Sequence, residues 1–139
     1  MPARETAARV ETVQRIYEAF GRADVPAILD ALAEDVRWEH WADWTPHRAG
    51  IAHLAPRTGR EGVGEFFAIV GQWEIAEFAV LDLMASERQV VAQVEIAATL
   101  PNGNSFRDQE LHLWTFDEDG RVCAFRHYVD TAKQIEAAG

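Results

Sequence analysis

The sequence predicts an α+β domain in which helices come first and an antiparallel sheet follows. Apolar residues recur at helical spacing in the first half of the chain, whereas residues 73–129 contain four alternating runs separated by turn residues. One of those turns is Asn102-Gly103, and Asn-Gly between alternating runs is typical of a β-hairpin. With 139 residues, the chain is expected to form one domain, residues 1–139, large enough to enclose a core and a pocket.

Three helices are predicted before the sheet and one after it. The first ends at Gly21, a typical C-cap residue, and the second begins after Asp24, which can cap it. The third follows Thr58, because Thr58 and Glu61 have the spacing of a capping box. Asp130 can cap a short C-terminal helix. The apolar stripe of the first helix consists of Val10, Val13, Ile16, Tyr17 and Phe20.

The strands are predicted from alternation of apolar and polar residues. Residues 36–41 form a short early strand, with Val36, Trp38 and His40 on one face and Glu39 on the other. The four later strands cover residues 73–84, 89–100, 105–116 and 121–129. Between the early strand and the third helix, residues 42–57 are predicted to form a long loop, and loops of this length are often functional.

The hairpin around Asn102-Gly103 supplies a candidate site. If these two residues form a two-residue turn, Glu95 lies opposite Glu110 and Gln93 lies opposite His112. Two opposed, partly desolvated carboxylates cannot both ionise cheaply, and a nearby imidazole could accept a proton, so this is a workable acid–base unit. A wet sheet face without chemistry is the alternative. Glu95, Glu110, His112 and Trp114 are thus predicted on one face, and Val94, Ile96, Leu111 and Leu113 on the other.

Composition narrows the classes of partner and compartment. The net charge of −10 makes nucleic acid and anionic membranes poor partners. The single cysteine, Cys123, excludes an internal disulfide and is typical of a reducing compartment. The N-terminus has no secretory pattern and no apolar run is long enough to span a bilayer. The prediction is a cytoplasmic protein with no membrane or nucleic-acid partner.

The order and spacing of five segments resemble the nuclear transport factor 2-like superfamily, and within it the SnoaL-like and ketosteroid isomerase-like branch. The segments are RIYEAFGRAD at 15–24, LAEDVRW at 32–38, TGREGV at 58–63, WTFDEDGRV at 114–122 and HYVD at 127–130. The resemblance covers nearly the whole chain. It implies a curved sheet wrapped around three helices, forming a cone with an apolar pocket. It also implies a homodimer through the outer sheet face, and an exposed apolar face is a physical reason for one.

The resemblance implies a site inside the cone. Carried over from ketosteroid isomerase, the catalytic base falls on His40, the tyrosine on Ile16 and the acid on His112. All three residues differ from that enzyme, so a steroid isomerase of that kind is not expected. SnoaL-like polyketide cyclases, in which histidines and carboxylates promote an aldol ring closure, are the better analogy. The candidate catalytic residues are His112, Glu95, Glu110 and His40, with Asp130 as a weaker one; the candidate ligand-binding residues are Tyr17, Phe20, Trp38, Phe66, Trp114, Phe125 and His127.

The sequence is compatible with two functions. The first is a cofactor-independent cyclase- or isomerase-type enzyme acting on a small, mostly apolar carbonyl compound. The second is a non-catalytic dimeric module that binds such a ligand. An epoxide hydrolase built on Arg107, Asp108 and Asp130 is placed lower. No metal is expected, because His40, His47 and His53 match no ligand spacing, and no cofactor motif is found.

Overall fold

The computed structural model describes residues 2–41 and 50–139 of the chain. His47 and the first half of the predicted long loop therefore lie outside the described residues. No described helix is long and apolar enough to cross a membrane. The helices are α1 (Pro2–Gly21), α2 (Val25–Asp30), α3 (Gly59–Val70) and α4 (Thr131–Ala138), with a short 3₁₀ helix at Ala52–Leu54.

A curved, six-stranded sheet packs against the helices, so the predicted α+β fold is confirmed. Its strands lie in the order β2-β1-β6-β5-β4-β3. Strand β1 pairs with β6 in parallel, and the other pairs are antiparallel. Bulges within β3 help the sheet to curve. The strand bounds are β1 (Leu32–Trp38), β2 (Arg57–Thr58), β3 (Glu74–Ala85), β4 (Gln89–Thr99), β5 (Ser105–Phe116) and β6 (Val122–Tyr128).

Two of the three predicted helix caps are formed. The Asp24 carboxylate accepts a hydrogen bond from the backbone of Ala27, and that of Asp130 accepts one from Lys133. The predicted capping box at Thr58 is wrong, because its side chain makes no capping bond. Instead, the Thr58 hydroxyl lies 3.1 Å from Nε2 of His40.

The hydrophobic core lies between the helices and the concave face of the sheet. From α1 it receives Val13 and Ile16, and from α3 it receives Val63 and Phe66. Aromatic side chains of three strands meet these helices, and Trp38 stacks on Phe125 with ring centroids 4.0 Å apart. The sheet contributes Val36, Trp38, Val90, Trp114, Phe116, Val122 and Phe125. The concave face of the sheet is therefore its buried face.

The β4–β5 hairpin has a different register from the predicted one. Thr99 pairs with Ser105, and the turn consists of three residues, Pro101 to Gly103. The Gly103 N–H donates to the Leu100 carbonyl and Gly103 has a φ of +87°, which is the geometry of a three-residue hairpin loop ending in a left-handed residue. The two-residue turn assumed from Asn102-Gly103 is therefore wrong.

This shift by one residue exchanges the faces of the whole of β4, as the period of two requires. Glu110 faces Val94, and His112 faces Ala92. Val94 and Ile96 are buried on the concave face, not on the outer face as predicted. Glu95 lies on the outer face, where its carboxylate accepts a hydrogen bond from Gln109. The predicted opposition of Glu95 and Glu110 is therefore not formed.

Gly103→Ala is expected to destabilise the fold by about 1–2 kcal/mol, the usual cost of placing a side chain in the left-handed region. A methyl group at this position would meet nothing within 4 Å, so the cost comes from the backbone alone. The measurement is the free energy of unfolding in urea. Gly21→Ala is the matched control, because Gly21 is equally open but has no positive φ. Equal stability of the two variants would contradict the left-handed backbone at Gly103.

Candidate functional site

A small cavity lies between the helices and the concave face of the sheet. Its volume is about 70 Å³. Aromatic rings form most of the wall, and polar groups of the sheet and of α4 lie at one side. The lining comprises Ile16, Tyr17, Phe20, Trp38, His53, Leu54, Phe66, Phe67, Val70, Trp73, Phe78, Ile96, Glu110, His112, Trp114, Phe125, His127, Val129 and Gln134.

Three polar side chains of this wall form a hydrogen-bonded relay. The hydroxyl of Tyr17, on α1, lies 2.6 Å from Nδ1 of His112 on β5. Nε2 of His112 lies 2.8 Å from Oε1 of Glu110, two residues earlier on the same strand face. The indole N–H of Trp114 donates to the Tyr17 oxygen over 3.1 Å. A helix and one strand thus present a phenol, an imidazole and a carboxylate in series.

One placement of the hydrogens satisfies every bond of this relay. Burial raises the pKa of Tyr17 far above its usual value, and the charge of Glu110 adds to this, so its O–H donates. Burial also lowers the pKa of His112, so the ring is neutral, accepts at Nδ1 and donates at Nε2. For Glu110, burial raises the pKa, but the hydrogen bond from His112 and the influence of His127 outweigh it and lower the pKa. The resting relay is therefore phenol, neutral imidazole and carboxylate.

The C-terminal helix supports this relay from the other side. Gln134, which is 1% exposed, donates from Nε2 to Oε2 of Glu110 over 3.3 Å and to Asp108 over 3.1 Å. Its Oε1 lies 2.7 Å from Nε2 of His53, which belongs to the short 3₁₀ helix at Ala52–Leu54. Both oxygens of Glu110 are thereby held. Gln134 and His53 were not predicted from the catalytic patterns, and a buried polar residue inside an amphipathic helix is the signal that could have identified Gln134.

A second histidine–carboxylate pair faces the same cavity. Oε1 of Glu39 accepts hydrogen bonds from the His127 backbone N–H at 2.6 Å and from the ring Nδ1 at 2.8 Å. Oε2 accepts a bond from the Trp41 indole. Burial raises the pKa of Glu39, but the charge and hydrogen bonds of His127 outweigh it, so the pKa lies below its usual value. The His127 and His112 ring centroids are 5.2 Å apart.

The left-handed backbone of Glu39 explains why this pair was missed. Glu39 has a φ of +62°, and its N–H donates to the carbonyl of Phe125. Strand β1 ends one residue earlier, at Trp38, and both side chains are buried although they are neighbours in sequence. His40, predicted on the same face as Trp38, instead lies 2.9 Å from the carbonyl of Arg57 through its Nε2.

The predicted site residues divide into two groups. All seven candidate ligand-binding residues line the cavity, together with His112 and Glu110. Three candidate catalytic residues do not line it. Glu95 lies on the outer face, His40 contacts β2, and Asp130 is an exposed helix cap, so the structure does not bring these three to the cavity.

Three donor groups could also be considered for a metal ion. Donor atoms of Glu110, His112 and His127 lie within 4.8 Å of one another. Two histidines and a carboxylate form a set that suits several transition metals. Hydrogen bonds among these groups and with Tyr17, Glu39 and Gln134 already account for their arrangement. The prediction that no metal is required remains a prediction.

A much larger, open groove adjoins the cavity between α1, α2, α3 and β3. Its volume is about 1150 Å³, and Tyr17, Phe20, Phe67 and Phe78 are among the residues that line both spaces. Tyr17 thus stands at the boundary between the groove and the buried polar groups.

Below pH about 6.5, the protein is expected to lose stability, because His53 takes up a proton more readily in the unfolded chain than in the folded one. Burial lowers the pKa of His53 from 6.5, so the unfolded chain binds a proton at a higher pH than the folded chain does. The contribution is complete above that pH and is lost as the pH falls towards the folded value. We expect His53→Gln to reduce the dependence of the unfolding free energy on pH by up to about 1.4 kcal/mol per pH unit.

The measurement is the unfolding free energy of both proteins in urea between pH about 7 and about 5. Glutamine does not titrate and keeps an N–H donor for Gln134. The difference between wild type and variant should therefore shrink as the pH falls. Parallel curves over this range would show that His53 has no lowered pKa.

The family follows from the sequence. A family model described as the SnoaL-like domain matches residues 13–125, which is most of the chain. The chain belongs to the SnoaL-like domain family. This result and the fold agree with the resemblance found in the sequence. The search of curated proteins found no match to this chain.

Solved structures share the fold of this SnoaL-like protein over almost their full length. An NTF2-like protein of unknown function from Burkholderia pseudomallei K96243 is 32% identical, with a TM-score of 0.80 and coverage of 94% of this chain and 97% of that one. TerC, co-crystallised with polyporic acid, is 22% identical, with a TM-score of 0.78 and coverage of 94% and 98%. A proposed polyketide cyclase from Silicibacter sp. TM1040 is 16% identical, with a TM-score of 0.71 and coverage of 96% and 97%.

Proposed function

We propose that this SnoaL-like protein is a cofactor-independent acid–base enzyme. It would remove a proton from the carbon next to a carbonyl group, the step that begins cyclase- and isomerase-type reactions. The observation that supports this most directly is the Tyr17–His112–Glu110 relay in the wall of an apolar cavity. A nucleophile or base held by an imidazole that is itself held by a carboxylate is a recurrent catalytic arrangement.

The proposed step moves two protons in series. The Tyr17 oxygen takes the proton from the carbon of the ligand while its own proton moves to Nδ1 of His112, over the 2.6 Å bond. The electron pair of the broken C–H bond becomes the enolate of the ligand. The imidazolium formed at His112 lies 2.8 Å from the Glu110 carboxylate, which stabilises it. Charge is conserved, because the ligand gains the negative charge that the imidazolium balances.

The cavity restricts the ligand by size and charge. Its volume of about 70 Å³ is half that of a cavity of about 150 Å³ known to hold benzene. A larger ligand would therefore have to place only its reacting end here and the remainder in the adjoining groove. No lysine or arginine lines the described cavity, whereas two carboxylates lie in or behind its wall. A neutral, mostly apolar carbonyl compound thus fits better than an organic anion.

The test is exchange of hydrogen for deuterium at the α-carbon of simple ketones. Acetone, cyclohexanone and acetophenone in D₂O are followed by NMR, with and without the protein. We expect the native protein to accelerate exchange of at least one ketone over buffer containing heat-unfolded protein. Exchange at the control rate for all three would argue against a proton-abstracting enzyme and in favour of the binding function below.

A non-catalytic ligand-binding module is the second candidate. The co-crystal of TerC with polyporic acid supports it, because a protein of this fold there holds a small molecule. The epoxide hydrolase alternative has less support. Arg107 forms an exposed ion pair with Glu77 at 2.8 Å, and Asp130 caps α4, so the expected Asp–Arg–Asp arrangement is not formed.

We also propose a homodimer through the outer sheet face. Leu111 and Tyr128 on this face are each 43% exposed, and Val91 and Leu113 beside them are half-buried. An apolar surface of this kind on a sheet favours burial against a partner. The molecular mass in solution tests this proposal, since a monomeric mass at micromolar concentration would contradict it.

A further inference from the structure

We propose that His127 and Trp38 form the subsite for the carbonyl oxygen of the ligand, and that Glu39 is the positioning residue for His127. The inference deepens the proposed function and rests on it for the class of ligand. The relay supplies a group that takes a proton from carbon. A complete site also needs donors for the oxygen on which negative charge develops.

Glu39 determines which His127 atom can interact with a ligand. Its carboxylate, which is 0% exposed, accepts from both the backbone N–H and Nδ1 of His127. Because an ionised carboxylate only accepts, Nδ1 must carry a hydrogen. Any proton that His127 gives to a ligand, or shares with one, must therefore be at Nε2. The arrangement also fixes the ring orientation, as second partners do for catalytic histidines.

The Glu39 residue that contacts His127 has a strained backbone. A non-glycine residue with a φ of +62° lies in the left-handed region, which costs on the order of 1–3 kcal/mol. The strain places a carboxylate and the Trp38 indole in the interior from consecutive positions, which a regular strand would place on opposite faces. Strain of this kind is often retained at binding and active sites.

Trp38 contributes a donor for which the described residues supply no acceptor. It is 1% exposed and lines the cavity, and its Nε1 has no hydrogen-bond partner among the described residues. An unpaired buried N–H costs about 1–3 kcal/mol, so an acceptor atom brought by a ligand would be stabilised there. Such an acceptor is what a carbonyl oxygen provides.

The two proposed donors are neighbours in the wall. The Trp38 and His127 rings both pack on Phe66, with centroid distances of 5.3 and 5.7 Å, and both pack on Phe125, at 4.0 and 5.0 Å. Apolar rings around the donors exclude water, which strengthens a hydrogen bond to a developing charge. The relay lies beside this pair, because His112 and His127 are register partners on β5 and β6, with ring centroids 5.2 Å apart.

Two carboxylates and a second imidazole lie close to the His127 ring. Its Nδ1 contacts Glu39, and donor atoms of His127 and Glu110 lie within 4.8 Å. Tyr17, His53, Glu110 and His112 are the other titratable side chains that line the cavity. Because both ring nitrogens of His112 already contact Tyr17 and Glu110, the donor role in this proposal falls to His127, while the Tyr17 relay accepts from carbon.

The experiment measures a bound carbonyl directly and does not require turnover. The C=O stretching band of ¹³C-labelled acetone is recorded with the native protein and with three variants: His127→Gln, Trp38→Phe and Glu39→Gln. Acetone is the probe because its four heavy atoms suit a cavity of about 70 Å³. We expect a lower stretching frequency for bound than for free acetone, and a smaller shift in each variant. Loss of one donor should also weaken binding about two- to tenfold.

The ¹⁵N signals of the His127 ring separate positioning from mere folding. In Glu39→Gln they should change while the other cavity histidines and the circular dichroism spectrum remain native. His40→Gln, a histidine change outside the cavity, is the matched control and should leave the bound carbonyl band unchanged. Trp38→Phe keeps a second, independent test available if His127→Gln does not fold.

The outcomes distinguish this inference from the proposed function. A shifted carbonyl band without any α-hydrogen exchange would retain the oxygen subsite and favour the binding module. Exchange with a band that no variant alters would retain the enzyme and overturn the subsite. Unchanged Trp38 and His127 signals at acetone concentrations just below those that unfold the protein would also overturn it.

Discussion

Tyr17→Phe is expected to lower the protein-catalysed exchange of ketone α-hydrogens by about 10²–10⁴-fold, the usual contribution of a positioned acid–base group. The change removes one oxygen and leaves the aromatic ring. It breaks the 2.6 Å bond to His112 and the 3.1 Å bond from Trp114, so a proton can no longer pass from the ligand to the imidazole. The rate at saturating ketone is the quantity to compare, because the ring contacts that bind the ligand remain.

Tyr128→Phe is the matched control for this variant. Tyr128 is the second of the two tyrosines in the chain, and it is 43% exposed on the outer face of the sheet. Its exchange rate should equal that of the native protein. A Tyr17→Phe protein that folds normally and retains the native rate would remove Tyr17 from the proton path. His112 or Glu110 would then have to act on the ligand directly.

The sequence was sufficient for most elements of the fold because its periodicities are local. The early strand was predicted at residues 36–41 but lies at Leu32–Trp38, and β2 was not predicted. Apolar spacing identified α1 and α3, alternation identified β3 to β6, and Asp24 and Asp130 marked helix starts that the structure confirms. Pairing between distant segments was harder to predict from the sequence. The parallel contact of β1 with β6 depends on tertiary packing, and no local pattern of residues 32–38 encodes it.

Part of the candidate site could be predicted from the sequence for the same reason. His112 and Glu110 share a strand face by simple alternation, so their proximity could be expected from β5 alone. The pairing of β5 with β4 depended on the number of residues in one turn, and counting two instead of three placed Glu95 inside the cone. One left-handed residue, Glu39, likewise reversed the faces at the end of β1 and removed His40 from the site.

These errors share a physical origin. Side chains alternate with a period of two, so one extra turn residue or one positive φ exchanges every face beyond it. Asn102-Gly103 is compatible with both turn lengths, and a buried glutamate such as Glu39 gives no local indication of a left-handed backbone. Gln134 was missed for another reason, because its contacts with Glu110 and His53 join segments far apart in the chain.

Trp38→Ala is expected to destabilise the protein by about 3–5 kcal/mol, as large-to-small changes of buried aromatic residues do. The side chain is 1% exposed, stacks on Phe125 at 4.0 Å and lies 5.3 Å from the ring of Phe66. Its loss would leave a void where β1, β6 and α3 meet, and the surrounding strands cannot move closer without breaking the sheet. The free energy of unfolding in urea is the measurement.

Trp38→Phe separates packing from the unpaired indole N–H. Phenylalanine keeps a ring against Phe125 and removes a buried donor that has no acceptor among the described residues. Loss of ring volume destabilises, whereas removal of an unsatisfied N–H stabilises, so the net cost should be only about 1 kcal/mol. A cost equal to that of Trp38→Ala would mean that the N–H is satisfied in the folded protein. It would then be unavailable to a ligand, and the oxygen subsite would lose one of its two donors.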